Sequence, residues 1–209
     1  INLLDNIGFH IADHSLLNII LPVGISFYTL QAISYTVDVY KRKICATSDY
    51  IAFSTYIAFF PQLVAGPIVR YEDVAGEIQS RRRTLEQLAK GLRRFIVGLS
   101  KKLLIADVCG SVVTLIYSAE RSVLDSRVAW LAAVCYLLQI YFDFSGYSDM
   151  AIGLGLCFGF HFKENFNYPY ISASIQEFWR RWHISLSTWF REYLYIPLGG
   201  NRKGKAKTY

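Results

Sequence analysis

Leu16-Leu-Asn-Ile-Ile-Leu-Pro-Val-Gly-Ile-Ser-Phe-Tyr-Thr-Leu-Gln-Ala-Ile-Ser-Tyr-Thr-Val37 runs without one charged side chain. About 20 such residues are what a helix needs to cross the hydrocarbon core of a bilayer. The stretch therefore predicts a transmembrane helix, with Pro22 and Gly24 as a kink. Asp5 and Asp13 precede it and Lys41-Arg42-Lys43 follow it, so the excess of basic residues places its C-terminal end in the cytoplasm.

The rest of the chain has the same character. Its 209 residues are 53% hydrophobic and only 18% charged, a balance that suits a bilayer better than water. The net charge of +6 sits in short clusters beside apolar runs instead of along one face. That distribution fits cytoplasmic loops and argues against nucleic-acid binding. Cys45, Cys109, Cys135 and Cys157 are widely spaced and form no C-x-x-C pair, so they read as packing residues. No cleavable signal peptide is visible. The first residue is Ile1 and the last residues form a basic loop, so the chain is expected to be a piece of a longer protein.

Working outward, 50–69 is again uncharged, but Pro61, Gly66 and Pro67 interrupt it. A full crossing would strand Arg70 and Arg81-Arg82-Arg83 outside, so a broken, re-entrant segment is expected, in a setting where protein or a water-filled cavity satisfies the backbone. Thr84-Leu-Glu-Gln87 has the form of a capping box. It opens a helix carrying Lys90, Arg93, Arg94, Lys101 and Lys102, which should lie along the cytoplasmic interface, and 103–117 should then cross the membrane. Val128 to Phe142 crosses back and leads into Asp143-Phe-Ser-Gly-Tyr-Ser-Asp149 and a glycine-rich run to Phe162. Polar groups at such depth mark a functional interior or, at less cost, an interfacial position. The fold expected is an all-α integral membrane bundle with broken and interfacial helices, forming one membrane-embedded domain over 1–209.

Ser174-Ile-Gln-Glu177 is a second capping-box candidate, heading Phe178-Trp-Arg-Arg-Trp-His-Ile-Ser-Leu-Ser-Thr-Trp-Phe-Arg-Glu-Tyr-Leu-Tyr195. On one continuous helix His183 would share a face with Trp179, Leu186, Ser187 and Phe190. A neutral imidazole there can accept a proton from a hydroxyl attacking an activated acyl group; a purely structural histidine fits the sequence equally well. His161, beside Lys163-Glu164, suits an interfacial role, and His10 and His14 carry no chemical signal. Gly146-Tyr-Ser148-Asp-Met150 lacks the closing glycine of a nucleophile elbow. No phosphate-binding loop, dinucleotide fingerprint or zinc motif is present. Asp143 and Asp149, six residues apart, would point in different directions on a helix, so no metal site is expected.

Taken in order, Leu21-Pro-Val-Gly-Ile-Ser-Phe-Tyr-Thr-Leu-Gln-Ala-Ile-Ser-Tyr35, Phe59-Phe-Pro-Gln-Leu-Val-Ala-Gly-Pro-Ile-Val-Arg70, Tyr141-Phe-Asp-Phe-Ser-Gly-Tyr-Ser-Asp149, Glu164-Asn-Phe-Asn-Tyr-Pro-Tyr170 and Phe178-Trp-Arg-Arg-Trp-His-Ile-Ser-Leu-Ser187 resemble the motifs of the membrane-bound O-acyltransferase (MBOAT) family. The resemblance covers about Leu21 to Asn201. Within it, Arg191-Glu-Tyr-Leu-Tyr-Ile-Pro-Leu-Gly-Gly-Asn-Arg202 is similar to the alginate O-acetyltransferase subgroup, more than to the D-alanyl transferases of teichoic acid. The resemblance implies transfer of acetyl groups from a cytoplasmic donor, acetyl-CoA or another acyl carrier, to hydroxyls of an exported polysaccharide. It also implies a multi-pass protein of the inner (plasma) membrane, a glycan acceptor, an extracytoplasmic acetyltransferase partner and no bound cofactor. His183 matches the first of two family histidines, the second lying downstream of Tyr209. Asn165, Asp143, Arg180 and Trp179 are expected around the substrate. A transporter or flippase is the rival class, and it would call for paired interrupted helices in two halves; only one such segment is clear here.

Overall fold

The structure, a computed structural model, describes residues 24–63, 66–120 and 124–203. Every regular element among them is helical, as the sequence predicts.

Helix α1 (Ile25–Tyr40) starts from Gly24, whose φ of 81° puts it in the left-handed region that glycine occupies without penalty. The part of the expected kink before Gly24 lies outside the described residues. The helix runs on past Val37, and it is polar on the inside: Gln31, Ser34 and Asp38, one or two turns apart, are its buried residues. Its exposed residues, Ser26, Thr29, Ile33, Thr36 and Tyr40, carry no charge, while the ionisable Asp38 is turned inward, an arrangement that suits a surrounding other than water.

Helix α2 (Tyr50–Ala58) is capped by Asp49, whose side chain accepts from the N–H groups of Ile51 and Ala52. It stops at Phe59, in an extended conformation, before the short α3 (Phe60–Leu63). Pro61 thus occupies the first turn of α3, where its missing N–H costs nothing. The chain is non-helical from Gly66 to Arg70 and then forms α4 (Tyr71–Gln79). The broken segment is as expected.

Helix α5 (Leu85–Ser100) opens on the Thr84–Gln87 capping box, with both reciprocal bonds made. Its end is not an end. Lys101 to Ala106 widen into a π-helical stretch and continue as α6 (Asp107–Ser118). The expected interfacial and crossing helices are therefore one rod. Its second half shows Leu103, Leu104, Val108, Leu115 and Tyr117 to the outside.

Against this rod lies α7 (Ser126–Cys157), about 48 Å long at 1.5 Å per residue. It alone, among the described residues, is long and apolar enough in one helix to cross a membrane. Trp130, Leu131, Val134, Leu137 and Ile140 are exposed in its first half, while Ser145, Gly146, Ser148, Asp149, Ile152 and Gly155 are buried in its second. The glycines explain the second half. A Cβ on Gly91 would stand 2.6 Å from the Gly153 carbonyl oxygen, and one on Gly98 would stand 2.5 Å from that of Gly146. The two helices touch backbone to backbone at two points, seven residues apart on each, which only glycine allows.

Ion pairs close the same seam. Asp149 takes Arg94 at 2.6 Å and Lys101 at 2.6 Å, and Asp143 takes Lys102 at 2.8 Å. An aromatic core of Tyr56, Tyr71, Phe160 and Phe162, with Ile152 and Val74, fills the space between α2, α4, α7 and the non-helical segment after it. Of the cysteines, Cys45 is exposed and so packs nothing; the other three are partly buried, and all four are free.

Candidate functional site

Two short helices and one loop make the site. Helix α8 (Ile175–Arg181) is capped by Ser174, whose side chain accepts from the Glu177 N–H. The reciprocal half of the box is shifted by one residue, since Glu177 Oε2 accepts from the Ala173 N–H at 3.0 Å. That bond, with the Arg181 guanidinium second, holds the Glu177 carboxyl below its ordinary range.

The predicted single helix to Tyr195 does not form. Trp182 is extended and His183 sits at φ 44°, ψ 56°, in the left-handed region; α9 (Ile184–Trp189) begins after it and passes into a π-helical turn, Phe190–Tyr195. A side chain at such a φ costs about 1–3 kcal/mol and persists only where the surroundings impose it. The loop 165–167 imposes it here. The Asn167 N–H donates to the Arg181 carbonyl at 2.9 Å and the Ile184 N–H donates to the Asn165 carbonyl at 2.9 Å, pinning the chain on both sides of the break. Tyr168 is also left-handed, at φ 44°, so of three non-glycine residues with positive φ among those described, two lie in this clasp.

The break changes what surrounds His183. Trp179 and Phe190 do not share a face with it. Its ring packs edge-on against Phe144, centroids 4.8 Å apart, and is stacked by Phe27 at 6.2 Å. Its Nδ1 lies 3.1 Å from Asn165 Oδ1. Asn165 is fully buried, His183 nearly so. Asn165 Oδ1 further accepts from the Ser185 N–H at 3.2 Å and the Ser185 hydroxyl at 2.9 Å, and that hydroxyl accepts from the Ile68 N–H at 3.0 Å. The non-helical segment after α3 is thereby tied to the histidine. Trp189 Nε1 donates to the Leu30 carbonyl and the Tyr193 hydroxyl donates to Asp38, which tie α9 and the turn after it to α1.

Two cavities meet at the break. One, about 190 Å³, is lined by Ile68, Arg70, Asp73, Ser185 and Glu192. The other, about 570 Å³, is lined by Arg94, Lys101, Tyr141, Ser145, Ser148 and Tyr168. Glu164 and Ile184, the neighbours of Asn165 and His183, line both. The hydroxyls of Ser145 and Ser148 are buried without a partner among the described residues.

Of the five residues expected at the site, His183 and Asn165 are together. Asp143 is not with them: it faces Lys102, while its neighbour Phe144 touches the histidine. Trp179 and Arg180 line a separate open cleft with Gln176, Leu186 and Tyr195. Ser185, Phe27 and Phe144 lie within the family-like motifs, but nothing in those motifs singles them out as the histidine's neighbours; the fold does. No group of three or more metal-ligating side chains occurs among the described residues. His161 bonds Glu77 at 2.6 Å on the exposed side of α4. His10 and His14 lie outside the described residues.

Helical throughout the described residues, with many large apolar side chains exposed on α5–α7 and a buried histidine bonded beside two cavities, the fold is that of a membrane-embedded helical protein with the makings of a transfer site. The chain belongs to the MBOAT family, the membrane-bound O-acyltransferases, which it matches over residues 41–209. It is 53% identical to a probable alginate O-acetylase, AlgI, of Pseudomonas syringae, over 93% of this chain and 37% of that protein. It is 40% identical to a peptidoglycan O-acetyltransferase of Helicobacter pylori, over 89% of this chain and 40% of that one. A teichoic acid D-alanyltransferase of Bacillus subtilis stands further off at 28%, over 86% of this chain and 46% of that one. The chain thus spans about two-fifths of the length of the first two relatives.

Proposed function

We propose that the full protein is an O-acetyltransferase of the inner membrane, crossing it several times and passing acetyl groups from a cytoplasmic thioester, acetyl-CoA or another acyl carrier, to hydroxyls of an exported, alginate-like polysaccharide. The observation that carries this is the buried His183–Asn165 pair, whose sequence neighbours Ile184 and Glu164 line both cavities. A direct group transfer needs donor and acceptor held together at one base. The similarity to proteins named as O-acetylases of alginate and of peptidoglycan supports acetyl as the group and a sugar hydroxyl as the acceptor. Alginate is favoured over peptidoglycan by the higher identity.

In this mechanism an imidazole nitrogen of His183 takes the proton of the acceptor hydroxyl as its oxygen attacks the thioester carbonyl carbon. The tetrahedral intermediate collapses by breaking the carbon–sulfur bond, and the imidazolium returns its proton to the departing thiolate. The products are an acetyl ester and a free thiol, and nothing is oxidised. Phe27 and Phe144 exclude water from the ring, which limits loss of the acetyl group to hydrolysis. The extracytoplasmic acetyltransferase expected as a partner would act on the same exported glycan.

Membranes containing the full-length protein, given acetyl-labelled acetyl-CoA and the polysaccharide, should place label in the polysaccharide as base-labile ester. Label appearing only as free acetate would contradict transfer to a glycan.

A further inference from the structure

The contacts around Asn165 determine more than a position. The amide orientation is set by the Ser185 backbone N–H, which can only donate: the group 3.2 Å from it must be the carbonyl oxygen, since a reversed amide would set two donors against each other. The Ser185 hydroxyl fits the same assignment. It receives the Ile68 N–H and spends its own proton on that oxygen at 2.9 Å, against a long 3.5 Å to His183 Nδ1. An imidazole nitrogen 3.1 Å from a carbonyl oxygen must then carry a hydrogen, because two lone pairs would otherwise face each other.

We infer that Asn165 is a positioning residue: its side-chain oxygen holds His183 as the Nδ1–H tautomer, and its backbone carbonyl holds the left-handed break that aims the ring, so that Nε2 carries the basic lone pair. Nε2 has no hydrogen-bond partner among the described residues. Asn165 therefore acts through the histidine and does not take up substrate with this oxygen. The Ile68–Ser185–Asn165 chain makes the non-helical segment after the broken helix part of the same device. The tautomer follows from geometry alone; its catalytic consequence rests on the acyltransferase reading.

The test uses the full-length protein labelled with 15N-histidine, in detergent, with the His183 signals assigned by their loss in His183→Gln. The two ring-nitrogen shifts report which nitrogen is protonated. Wild type should show Nδ1–H. Asn165→Leu, which removes the acceptor, should lose that preference and lower kcat for acetyl transfer about 100-fold with little change in KM, the scale of one general base. Asn165→Asp keeps an acceptor facing Nδ1 and should restore both. Ser185→Ala leaves the backbone N–H in place and should keep the tautomer. An Nε2–H ring in the wild type overturns the inference, whether or not any variant folds. So does Asn165→Leu with an unchanged tautomer. Full transfer by His183→Gln would overturn the catalytic consequence but leave the acyltransferase reading standing, whereas no transfer by the wild type would overturn that reading; in either case the wild-type spectrum still decides the tautomer.

Discussion

The seam between α5 and α7 and the break at His183 are opposite answers to the same local problem. Around the seam the sequence carries Gly146, Gly153 and Gly155 among polar residues, a composition that weakens helices, yet 126–157 is one uninterrupted helix. Around the break the sequence is capped and rich in large side chains, yet the helix stops at Trp182 and turns left-handed. The reason in both cases lies on a neighbouring element. Gly98 and Gly91 receive the backbone of α7, so the glycines serve as contact points and the lost propensity is offset by close packing. Asn165 and Asn167 capture the backbone of the histidine segment, so its propensity is overridden by two hydrogen bonds from a loop. Where backbone meets backbone a helix is kept straight; where a loop competes for the same amides it is broken, and the reactive group sits at the break.

Substitutions along the seam break or sharpen this contrast. Gly98→Leu should cost about 3 kcal/mol, since the new side chain meets the Gly146 carbonyl and Met150; the yield of folded, detergent-stable protein measures it, and an undiminished yield would mean the seam is not in contact. Arg94→Met comes next. It removes one of two cations from the buried Asp149 and also frees Glu164, beside Asn165. Because Arg94 is one-third exposed and Lys101 remains, the cost should be about 2 kcal/mol, below that of a fully buried pair. A thermal-shift measurement checks it, and adding Lys101→Met should deepen the loss, since Asp149 then has neither cation. The smallest effect has the opposite sign. Gly76→Ala, on an exposed turn of α4 with open space at the Cβ position, should stabilise by about 0.5 kcal/mol. Destabilisation there would mean that a glycine's location on the seam is not what matters.

What the sequence made legible follows from this. Apolar runs, caps and breakers are local signals, and they located α1, the broken α2–α3 segment, the Thr84 capping box and the first half of α7, but not its continuation to Cys157. The resemblance brought His183 and Asn165 forward. Beyond reach were relations between elements. Basic residues on α5 read as an interfacial stripe, but Arg94, Lys101 and Lys102 are partners of acids on α7, and a charge run does not say which acids it will face. Trp179 and Arg180 lose their place beside His183 because one left-handed residue re-aims everything before it. Asp143 and Phe144, adjacent in sequence, face a lysine and the histidine respectively; the glycine contacts that fix the rotation of α7 are tertiary.

The central claim is that His183 lies at the chemical centre of an acetyl transfer to an exported glycan. It is tested most directly by the acetyl-ester content of envelope and secreted glycans from cells making the full-length protein, wild type against His183→Gln, at matched membrane levels. The wild type should raise the ester content and the variant should lose the rise. A variant that acetylates as well as the wild type would contradict the claim and leave His183 as a packing residue.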